Sequence, residues 1–276
     1  MDTCLILCHA DDRSAVRIYC ALRKRLGISK VDVVSGEELA LAPRWTHRIE
    51  SGSSHTELLL ADGRRIRSDR VGLVFQRLQQ IPLPQFDHSK PDDRDYASAE
   101  MHALLLSWLA DFPCPVVNEA GPRGLCGTNR SRLEWSALAV QAGLPIRGSE
   151  LVSEARRFAP STFVPHVAHG DTGLEDPSMI VQPQGLGRVP LQYLEPVESE
   201  IYRLLVVGGR CLGILPGIEQ AACVALAKLS GNSLLEIRFG QVRGQWRFCS
   251  ATPLPEILPE SVDFVAKALL AMKEAA

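Results

Sequence analysis

The segment from Ser233 to Pro255 restricts the fold of this chain more than any other segment does. Apolar side chains recur at every second position on either side of a break at Gly244. These apolar residues are Leu235, Ile237, Phe239, Trp246 and Phe248. A period of two is typical of a strand with one buried face, and a glycine between two such runs marks a turn. The sequence therefore predicts an antiparallel hairpin with one buried face.

This hairpin resembles the C-terminal hairpin of the ATP-grasp fold, in the branch of carboxylate-amine ligases that mature ribosomal peptides or add amino acids to proteins. Members of this branch carry apolar-Asp-Phe on the first strand and Glu-x-Asn-Pro on the second. The present chain has Ile-Arg-Phe at 237–239 and Ser-Ala-Thr-Pro at 250–253. The resemblance implies that the hairpin is kept and its acidic residues are lost. The alternative is an ordinary hairpin to which the motif does not apply.

The substituted positions bear directly on metal binding. In the ligases, the acidic residues and the asparagine hold magnesium against the nucleotide phosphates, because hard divalent cations prefer anionic oxygen ligands. Arg238 would repel a metal ion, and the hydroxyl groups of Ser250 and Thr252 cannot replace two carboxylates. We therefore expect no metal at these three positions and no bound cofactor.

Composition narrows the class of protein. A chain of 276 residues can form two modest domains around their own cores. A hydrophobic content of 46% and a net charge of −2 indicate a globular protein without a basic field for nucleic acid. The sequence has no apolar run near the roughly 20 residues of a membrane span and no signal peptide. We expect a cytoplasmic protein that binds neither nucleic acid nor membranes, and whose eight cysteines are reduced and mostly buried.

The N-terminal region has the pattern of a small parallel sheet. An apolar strand from Thr3 to Cys8 precedes Asp12, which is placed to cap a helix reaching Leu26, and a second strand covers Val31 to Val34. The expected apolar face of the helix consists of Val16, Tyr19, Cys20, Leu22 and Leu26. His9 beside the aspartates suggests either a metal ligand or an ordinary strand end.

The segment LADGRRIRSDRVGLVFQR at 60–77 predicts a hairpin with Asp-Gly at its turn, followed by a strand from Val71 to Phe75. The ligase branch has a similar element in its N-terminal domain, which can help to seat the peptide substrate. The resemblance makes Arg77 a candidate contact for an acidic or C-terminal group of a peptide. The alternative is a surface arginine at a strand end.

Three further motifs match the family in the same order. They are YASAE at 96–100, SWLADF at 107–112 and CPVVN at 114–118, with a loop over 81–94 before them. The resemblance implies an α/β and α+β protein of ATP-grasp type. It has a pre-ATP-grasp α/β domain at 1–118 and an ATP-grasp domain at 119–276, whose two α+β lobes cover approximately 119–195 and 196–276.

The nucleotide cleft of the family maps onto four positions. A helix after 121 carries Arg132 where the family has a lysine, and an arginine can still bind phosphate. Gln182 replaces the second lysine and loses the charge that contacts phosphate, while Gln192 lies in the segment that resembles the adenine hinge. Arg203 matches the arginine that contacts the acyl phosphate or substrate carboxylate. It is the one candidate catalytic residue, unless it is only paired with Glu195, Glu198 or Glu200.

These substitutions lead to three hypotheses. The first is a pseudo-enzyme of ATP-grasp shape that binds a peptide or partner protein through Arg77, Arg203 and Arg238, as an accessory factor in peptide or natural-product maturation. This hypothesis allows a homo- or hetero-dimer. The second is an ATP-dependent carboxylate-amine ligase whose MgATP site uses Glu195, Glu236 or Asp263. The third is a metal-dependent activity of His166 and His169, for which the sequence offers no third ligand.

Overall fold

The computed structural model describes residues 3–51, 53–128, 130–152, 164–166 and 191–276. Its strands are β1 (Thr3–Cys8), β2 (Val31–Ser35), β3 (Arg44–Glu50), β4 (Ser53–Leu59), β5 (Arg65–Arg67), β6 (Val71–Gln76), β7 (Val116–Val117), β8 (Ser149–Val152), β9 (Val164–His166), β10 (Leu191–Leu194), β11 (Tyr202–Val207), β12 (Arg210–Leu212), β13 (Leu234–Val242) and β14 (Gln245–Thr252). Its helices are α1 (Arg13–Leu26), α2 (Gly36–Ala40), α3 (Pro91–Ala110), α4 (Arg132–Gln141), α5 (Gln220–Ser230) and α6 (Val262–Ala275).

The first sheet is parallel, with strand order β2-β1-β6-β7. Alternate residues of β1 face opposite sides, so that Ile6 packs towards α1 and Leu7 packs towards α3. The side chain of Asp12 accepts a hydrogen bond from the backbone N–H of Ala15 at 3.0 Å and caps α1. The predicted parallel sheet and capped helix are confirmed.

The buried face of α1 differs from the prediction. Ala15, Ile18 and Leu22 are fully buried, whereas Val16 is 54% exposed and Cys20 is exposed. The buried residues share one face at helical spacing, and small Ala15 lets the helix approach the sheet closely. Of the expected residues, Leu22 is fully buried, and Tyr19 and Leu26 are partly buried against the same core. The prediction is wrong only at Val16 and Cys20, whose places are taken by Ala15 and Ile18.

The helix α3 also differs from expectation at its start. It begins at Pro91, inside the segment predicted to be a loop, because proline is well tolerated in the first turn. Its buried residues are Leu105, Trp108 and Leu109, while Tyr96 is 68% exposed. Only the second half of this helix is packed into the core.

The other N-terminal sheet is antiparallel, with strand order β3-β4-β5. The turn between β4 and β5 contains Asp62 and Gly63, and Gly63 has a φ of 87°. A left-handed residue at this point suits glycine, which has no Cβ to clash. The predicted Asp-Gly hairpin is confirmed.

The C-terminal sheet has strand order β12-β11-β13-β14 and contains the predicted hairpin. Arg243 and Gly244 form its turn with φ values of 52° and 71°, as a two-residue hairpin turn requires. One face packs against α4 and α5 through an entirely apolar set of side chains, which comprises Leu204, Val206, Leu235, Ile237, Phe239 and Phe248. This face is the one predicted to be buried.

The opposite face of the same sheet has an apolar part and a polar part. Leu205, Val207 and Leu234 pack into the core formed by α1, α6 and the parallel sheet. Further along the strands the apolar residues give way to charged and hydroxyl side chains. The sheet therefore presents a polar region next to its contact with the N-terminal sheet.

Asn118 connects the end of β7 to the hairpin. Its side-chain amide donates hydrogen bonds to the carbonyl oxygens of Leu234 and Pro253, both at 2.8 Å, and its oxygen accepts from the N–H of Leu234 at 2.7 Å. Asn118 is fully buried. Because these bonds reach the start of β13 and the end of β14, they fix the hairpin relative to the parallel sheet.

The cysteines follow the prediction from the sequence. None of the eight forms a disulfide bond, and only Cys20 is exposed. Burial raises the pKa of Cys8 to about 12 and that of Cys126 to about 11, so both thiols stay protonated at neutral pH.

Within the described ranges, no helix is both long and apolar enough to cross a membrane.

Candidate functional site

Five polar side chains lie together on one face of the C-terminal sheet. Arg203 of β11 is opposite Arg238 of β13, and Arg238 is opposite Ser250 of β14. Two residues along the strands, Glu236 is opposite Thr252. Residues opposite each other or two apart on a strand point to the same side of a sheet. We call Arg203, Glu236, Arg238, Ser250 and Thr252 the polar face.

Glu236 and Arg238 form an ion pair at the centre of the polar face. The Nε of Arg238 donates to Oε1 of Glu236 at 2.6 Å, and the two side chains are 17% and 3% exposed. A buried carboxylate is stable only when a cation or several donors compensate its charge. Arg238 provides that compensation, so the carboxylate of Glu236 is already engaged.

Arg203 is the most exposed arginine of the polar face. Its side chain is 41% exposed, and its nearest acidic atoms are Oε1 of Glu236 at 4.0 Å and Oε2 of Glu256 at 3.9 Å. Both distances exceed that of a hydrogen bond. Its acidic neighbours are thus Glu236 and Glu256 rather than the glutamates at 195, 198 and 200 that the sequence suggested.

The hydroxyl side chains complete the arrangement. Ser250 lies directly opposite Arg238. The Oγ1 of Thr252 accepts a hydrogen bond from the N–H of Leu254 at 3.2 Å. Thr252 therefore helps to turn the chain after β14 in addition to lining the polar face.

Of the three acids considered for a non-standard metal site, only Glu236 lies on the polar face. Glu195 accepts a hydrogen bond from the N–H of Gly148 at 2.7 Å and pairs with Arg243 at 3.1 Å. Asp263 of α6 pairs with Arg25 and, at 2.7 Å, with Lys267. Both acids are committed elsewhere and lie away from Glu236.

The polar face does not fit a hard divalent cation. Such an ion needs several oxygen ligands with negative charge, whereas the polar face has one carboxylate, already paired with a guanidinium group, and two hydroxyls. In the part of the chain that the structure describes, no group of three or more His, Cys, Asp or Glu residues could hold a metal ion. The composition of the donor set thus argues against magnesium here.

Arg132 is the first residue of α4. Ser131 and Glu134 form a capping box around it, and Arg123 also pairs with Glu134. The hydrogen bond from Arg123 and those at the cap lower the pKa of Glu134 to about 2. Since α4 packs on the apolar face of the sheet, Arg132 starts a helix on the opposite side from the polar face.

Several predicted positions lie partly or wholly outside the described residues. Gln182 and His169 fall outside them. Gln192 belongs to β10, where its backbone pairs with Leu151 and His166 in an antiparallel sheet. The description there is limited to the backbone, so the roles assigned to these side chains stay predictions.

Arg77 is buried rather than on the surface. Its side chain is 5% exposed, and its Nε donates to Oδ2 of Asp12 at 2.6 Å. Asp12 thus caps α1 with one oxygen and holds Arg77 with the other. No local sequence pattern reveals this pair, because it depends on the parallel pairing of β1 with β6, which places Leu7 beside Gln76. The available signal was that Asp12 and Arg77 each follow the end of a strand, since neighbouring parallel strands end at the same edge of a sheet.

Comparison with known proteins identifies the fold through structure rather than sequence. No protein-family profile matches the chain, and no curated protein matches it significantly. Among solved structures, it is similar to a RiPP-associated ATP-grasp ligase from Chryseobacterium gregarium in complex with ADP and a leader and core peptide. The TM-score is 0.75 at 15% identity, covering 100% of this chain and 98% of that one.

Two other structures give the same result. The ATP-grasp ligase PsnB, complexed with a minimal precursor, Mg and ADP, has a TM-score of 0.72 at 18% identity, covering 98% of both chains. The macrocyclase MdnC from Microcystis aeruginosa MRC, bound with precursor peptide MdnA, has a TM-score of 0.70 at 15% identity, covering 97% of this chain and 99% of that one. The chain therefore has the ATP-grasp fold over its full length.

Proposed function

We propose that this chain is an ATP-grasp-like protein of peptide maturation that binds a precursor peptide or a partner protein without performing metal-dependent ligation. The observation that carries the proposal is the ion pair between Glu236 and Arg238. Arg238 stands at the position where the ligase motif has its aspartate, and it is bonded to the neighbouring carboxylate of Glu236. The hairpin is retained, but its surface carries an arginine where the motif has an acid.

Electrostatics explains why Arg238 opposes a metal ion. Two unit charges of the same sign 4 Å apart repel each other by about 4 kcal/mol at an effective dielectric constant of about 20, and a divalent ion doubles this energy. The carboxylate of Glu236 attracts a cation, but Arg238 already compensates its charge, and the neutral oxygens of Ser250 and Thr252 add little attraction. Bound ATP would therefore lack a protein-held magnesium ion to neutralise its phosphates during phosphoryl transfer.

The solved relatives support the peptide part of the proposal. The ligase from C. gregarium, PsnB and MdnC all have structures with a precursor or a leader and core peptide bound. The present chain covers nearly their whole length. We infer that this chain shares the peptide-binding role of these proteins but lacks a set of metal ligands.

A thermal-shift measurement with MgATP tests the proposal. We expect no change of Tm at millimolar MgATP, because a ligand stabilises a protein only as far as it occupies a site. A catalytically active ATP-grasp ligase serves as the positive control. A shift of several degrees that requires magnesium and ATP together would refute the loss of the site.

The second candidate function is an ATP-dependent carboxylate-amine ligase with a non-standard MgATP site. The observation in its favour is that Glu236, a carboxylate, lies on the polar face within 4.0 Å of Arg203. Release of ADP in the presence of a precursor peptide would support it. The matched control is Glu236→Gln, which keeps the size of the side chain and removes its charge.

A further inference from the structure

An open pocket lies at the carboxyl ends of β1 and β6, between the first turn of α1 and the chain after β14. Its volume is about 350 Å³. It is lined by His9, Asp11, Asp12, Arg13, Ser14, Arg77, Gln79, Leu254, Pro255 and Glu256. Glu256 also faces Arg203 at 3.9 Å, so the pocket adjoins the polar face.

The first turn of α1 brings hydrogen-bond donors to this pocket. Asp12 satisfies the N–H of Ala15, whereas the N–H groups of Arg13 and Ser14 have no acceptor among the residues that the structure describes. The helix has 14 residues, so its N-terminus carries a partial positive charge. These two backbone groups can donate to a ligand.

Arg77 supplies a second and independent indication of a ligand. Its side chain is only 5% exposed, and its Nη1 is buried without a hydrogen-bond partner, although its Nε is bound to Asp12. A buried donor on a charged group is costly unless an acceptor satisfies it. An oxygen of a ligand seated at the floor of the pocket would satisfy it.

The charges around the pocket restrict the ligand. Arg77 compensates Asp12, and the Nε2 of His9 accepts a hydrogen bond from the N–H of Gln79 at 3.2 Å. Asp11, Arg13 and Glu256 are the remaining charged groups, and all three are exposed. Two exposed carboxylates beside one exposed arginine disfavour a doubly charged phosphate more than a singly charged carboxylate.

We propose that the pocket binds a peptide carboxylate, with the N–H groups of Arg13 and Ser14 and the guanidinium of Arg77 as its donors. The identification of the ligand as a peptide rests on the proposed function. The carboxylate belongs either to an acidic side chain or to the C-terminus of the peptide. In both cases the rest of the peptide leads past Glu256 to the polar face.

Nuclear magnetic resonance titrations of the full chain test the proposal with four probes. N-acetylglutamate α-amide carries a side-chain carboxylate, N-acetylglutamine carries an α-carboxylate, N-acetylglutamine amide is the neutral control, and inorganic phosphate is the dianion. We expect saturable shifts of the amide signals of Arg13 and Ser14 with a carboxylate probe and none with the neutral amide. The probe that binds more tightly identifies the source of the carboxylate.

A pair of substitutions isolates the backbone donor. Arg13→Pro removes the N–H, and proline suits the first position of a helix that follows an extended residue such as Asp12, whose φ is −71° and ψ 94°. Arg13→Ala removes the same side chain and keeps the N–H. We expect the proline variant to bind the carboxylate probe about tenfold more weakly than the alanine variant, as for a lost hydrogen bond to a charged group.

The guanidinium is tested by Arg77→Lys, which keeps the charge but loses the forked donor. We expect weaker binding of the carboxylate probe in a protein that remains folded by circular dichroism. Equal affinities of the Arg13→Pro and Arg13→Ala variants, no saturable shift, or tighter binding of phosphate would overturn the proposal. These titrations contain neither nucleotide nor magnesium, so their failure leaves the proposed function open, while an MgATP-dependent activity would refute that function and leave the pocket.

Discussion

At the residue scale, the polar face depends on the compensation between Glu236 and Arg238. Breaking a buried ion pair by removing one partner typically costs about 3 to 5 kcal/mol, because the other charge is left buried. We expect Arg238→Leu to lower the free energy of unfolding by about this amount and the double replacement Glu236→Leu with Arg238→Leu to recover most of it. Urea denaturation of the single and double variants measures the difference. Additive losses would show that the two side chains do not depend on each other.

Arg203 has a different kind of role, because it is partly exposed and lacks a close acidic partner. We expect Arg203→Ala to weaken the binding of an acidic precursor peptide by about 1 kcal/mol, the lower range for a charged contact, since solvent screens it. The affinity should also become less sensitive to salt. Arg65→Ala, an exposed arginine on the other antiparallel sheet, is the control in the same titrations. Equal affinity of the wild type and both variants at low and moderate salt would place the binding surface elsewhere.

The sequence predicts which residues share the polar face better than it predicts their partners. Arg203, Arg238 and Ser250 meet because strand alternation and motif order set their side and register. The bond of Arg238 to Glu236 depends on side-chain torsion angles, which alternation does not define. The bond of Arg77 to Asp12 joins two residues 65 positions apart and depends on the pairing of β1 with β6, so a local pattern could not show it.

At the scale of elements, Asn118 holds the hairpin to the end of β7. Replacing it with alanine removes four hydrogen bonds and leaves buried backbone groups of Leu234 and Pro253 without partners. We expect Asn118→Ala to destabilise the protein by about 4 kcal/mol, at roughly 1 kcal/mol for each bond. Ser233→Ala, which removes a single bond to the same side chain, should cost about a quarter of that. Similar losses in both variants by chemical denaturation would contradict this role.

The end of α3 is linked to the sheet of β4 through Asp111. Burial raises the pKa of Asp111, but hydrogen bonds from Ser54, Ser68 and Thr56 outweigh it, so the pKa lies below its ordinary value of 3.8. A lowered pKa in the folded state means that this group stabilises the fold above pH 3.8 and that the contribution is lost as pH falls through the folded pKa.

We therefore expect Asp111→Asn to lower stability at pH 6 and to reduce the further loss of stability between about pH 4 and pH 2. Denaturation midpoints measured across this range, with Asp69→Asn on an exposed turn for comparison, test the expectation. An unchanged pH dependence in the Asp111 variant would mean that its hydrogen bonds do not hold in solution.

The helices α1 and α3 show which features of a secondary-structure element can be predicted from the sequence. The start of α1 is predicted by Asp12, because its cap is a local interaction. The choice between Val16 and Ala15 for its buried face cannot be predicted in the same way. Both residues are compatible with burial, and only the approach of the helix to the sheet selects Ala15. The early start of α3 cannot be predicted, because Pro91 is equally compatible with a loop and with the first turn of a helix.

At the scale of the whole molecule, one hydrophobic core joins the N-terminal sheet to the C-terminal sheet. Ile6 and Phe75 of the parallel sheet belong to the same cluster as Leu205 and Leu234 of the hairpin sheet and Val265 of α6. A shared core couples the stability of the parts that bury it. We expect the described parts to unfold in a single transition, measured by calorimetry together with near- and far-ultraviolet circular dichroism. Two separate transitions would show that the parts are stable on their own.

The order of motifs along the chain predicts the architecture because it reflects core residues. The segments at 107–112 and 114–118 supply buried residues, among them Trp108, Leu109, Phe112 and Val117, whereas the segment at 96–100 lies on the exposed first half of α3. The polar face does not follow from the fold, since strand alternation fixes which positions face that side of the sheet but not which side chains occupy them.

The polar face carries two arginines and one glutamate, and this excess of positive charge is a permanent part of the polypeptide. A magnesium ion comes from solution, and its occupancy changes with chelators, competing phosphates and the supply of nucleotide. Neither arginine can dissociate from the chain, so the excess stays the same when free magnesium is scarce or is removed by EDTA. On the proposed function, a peptide held there would be bound equally well in an energy-rich and an energy-depleted cell.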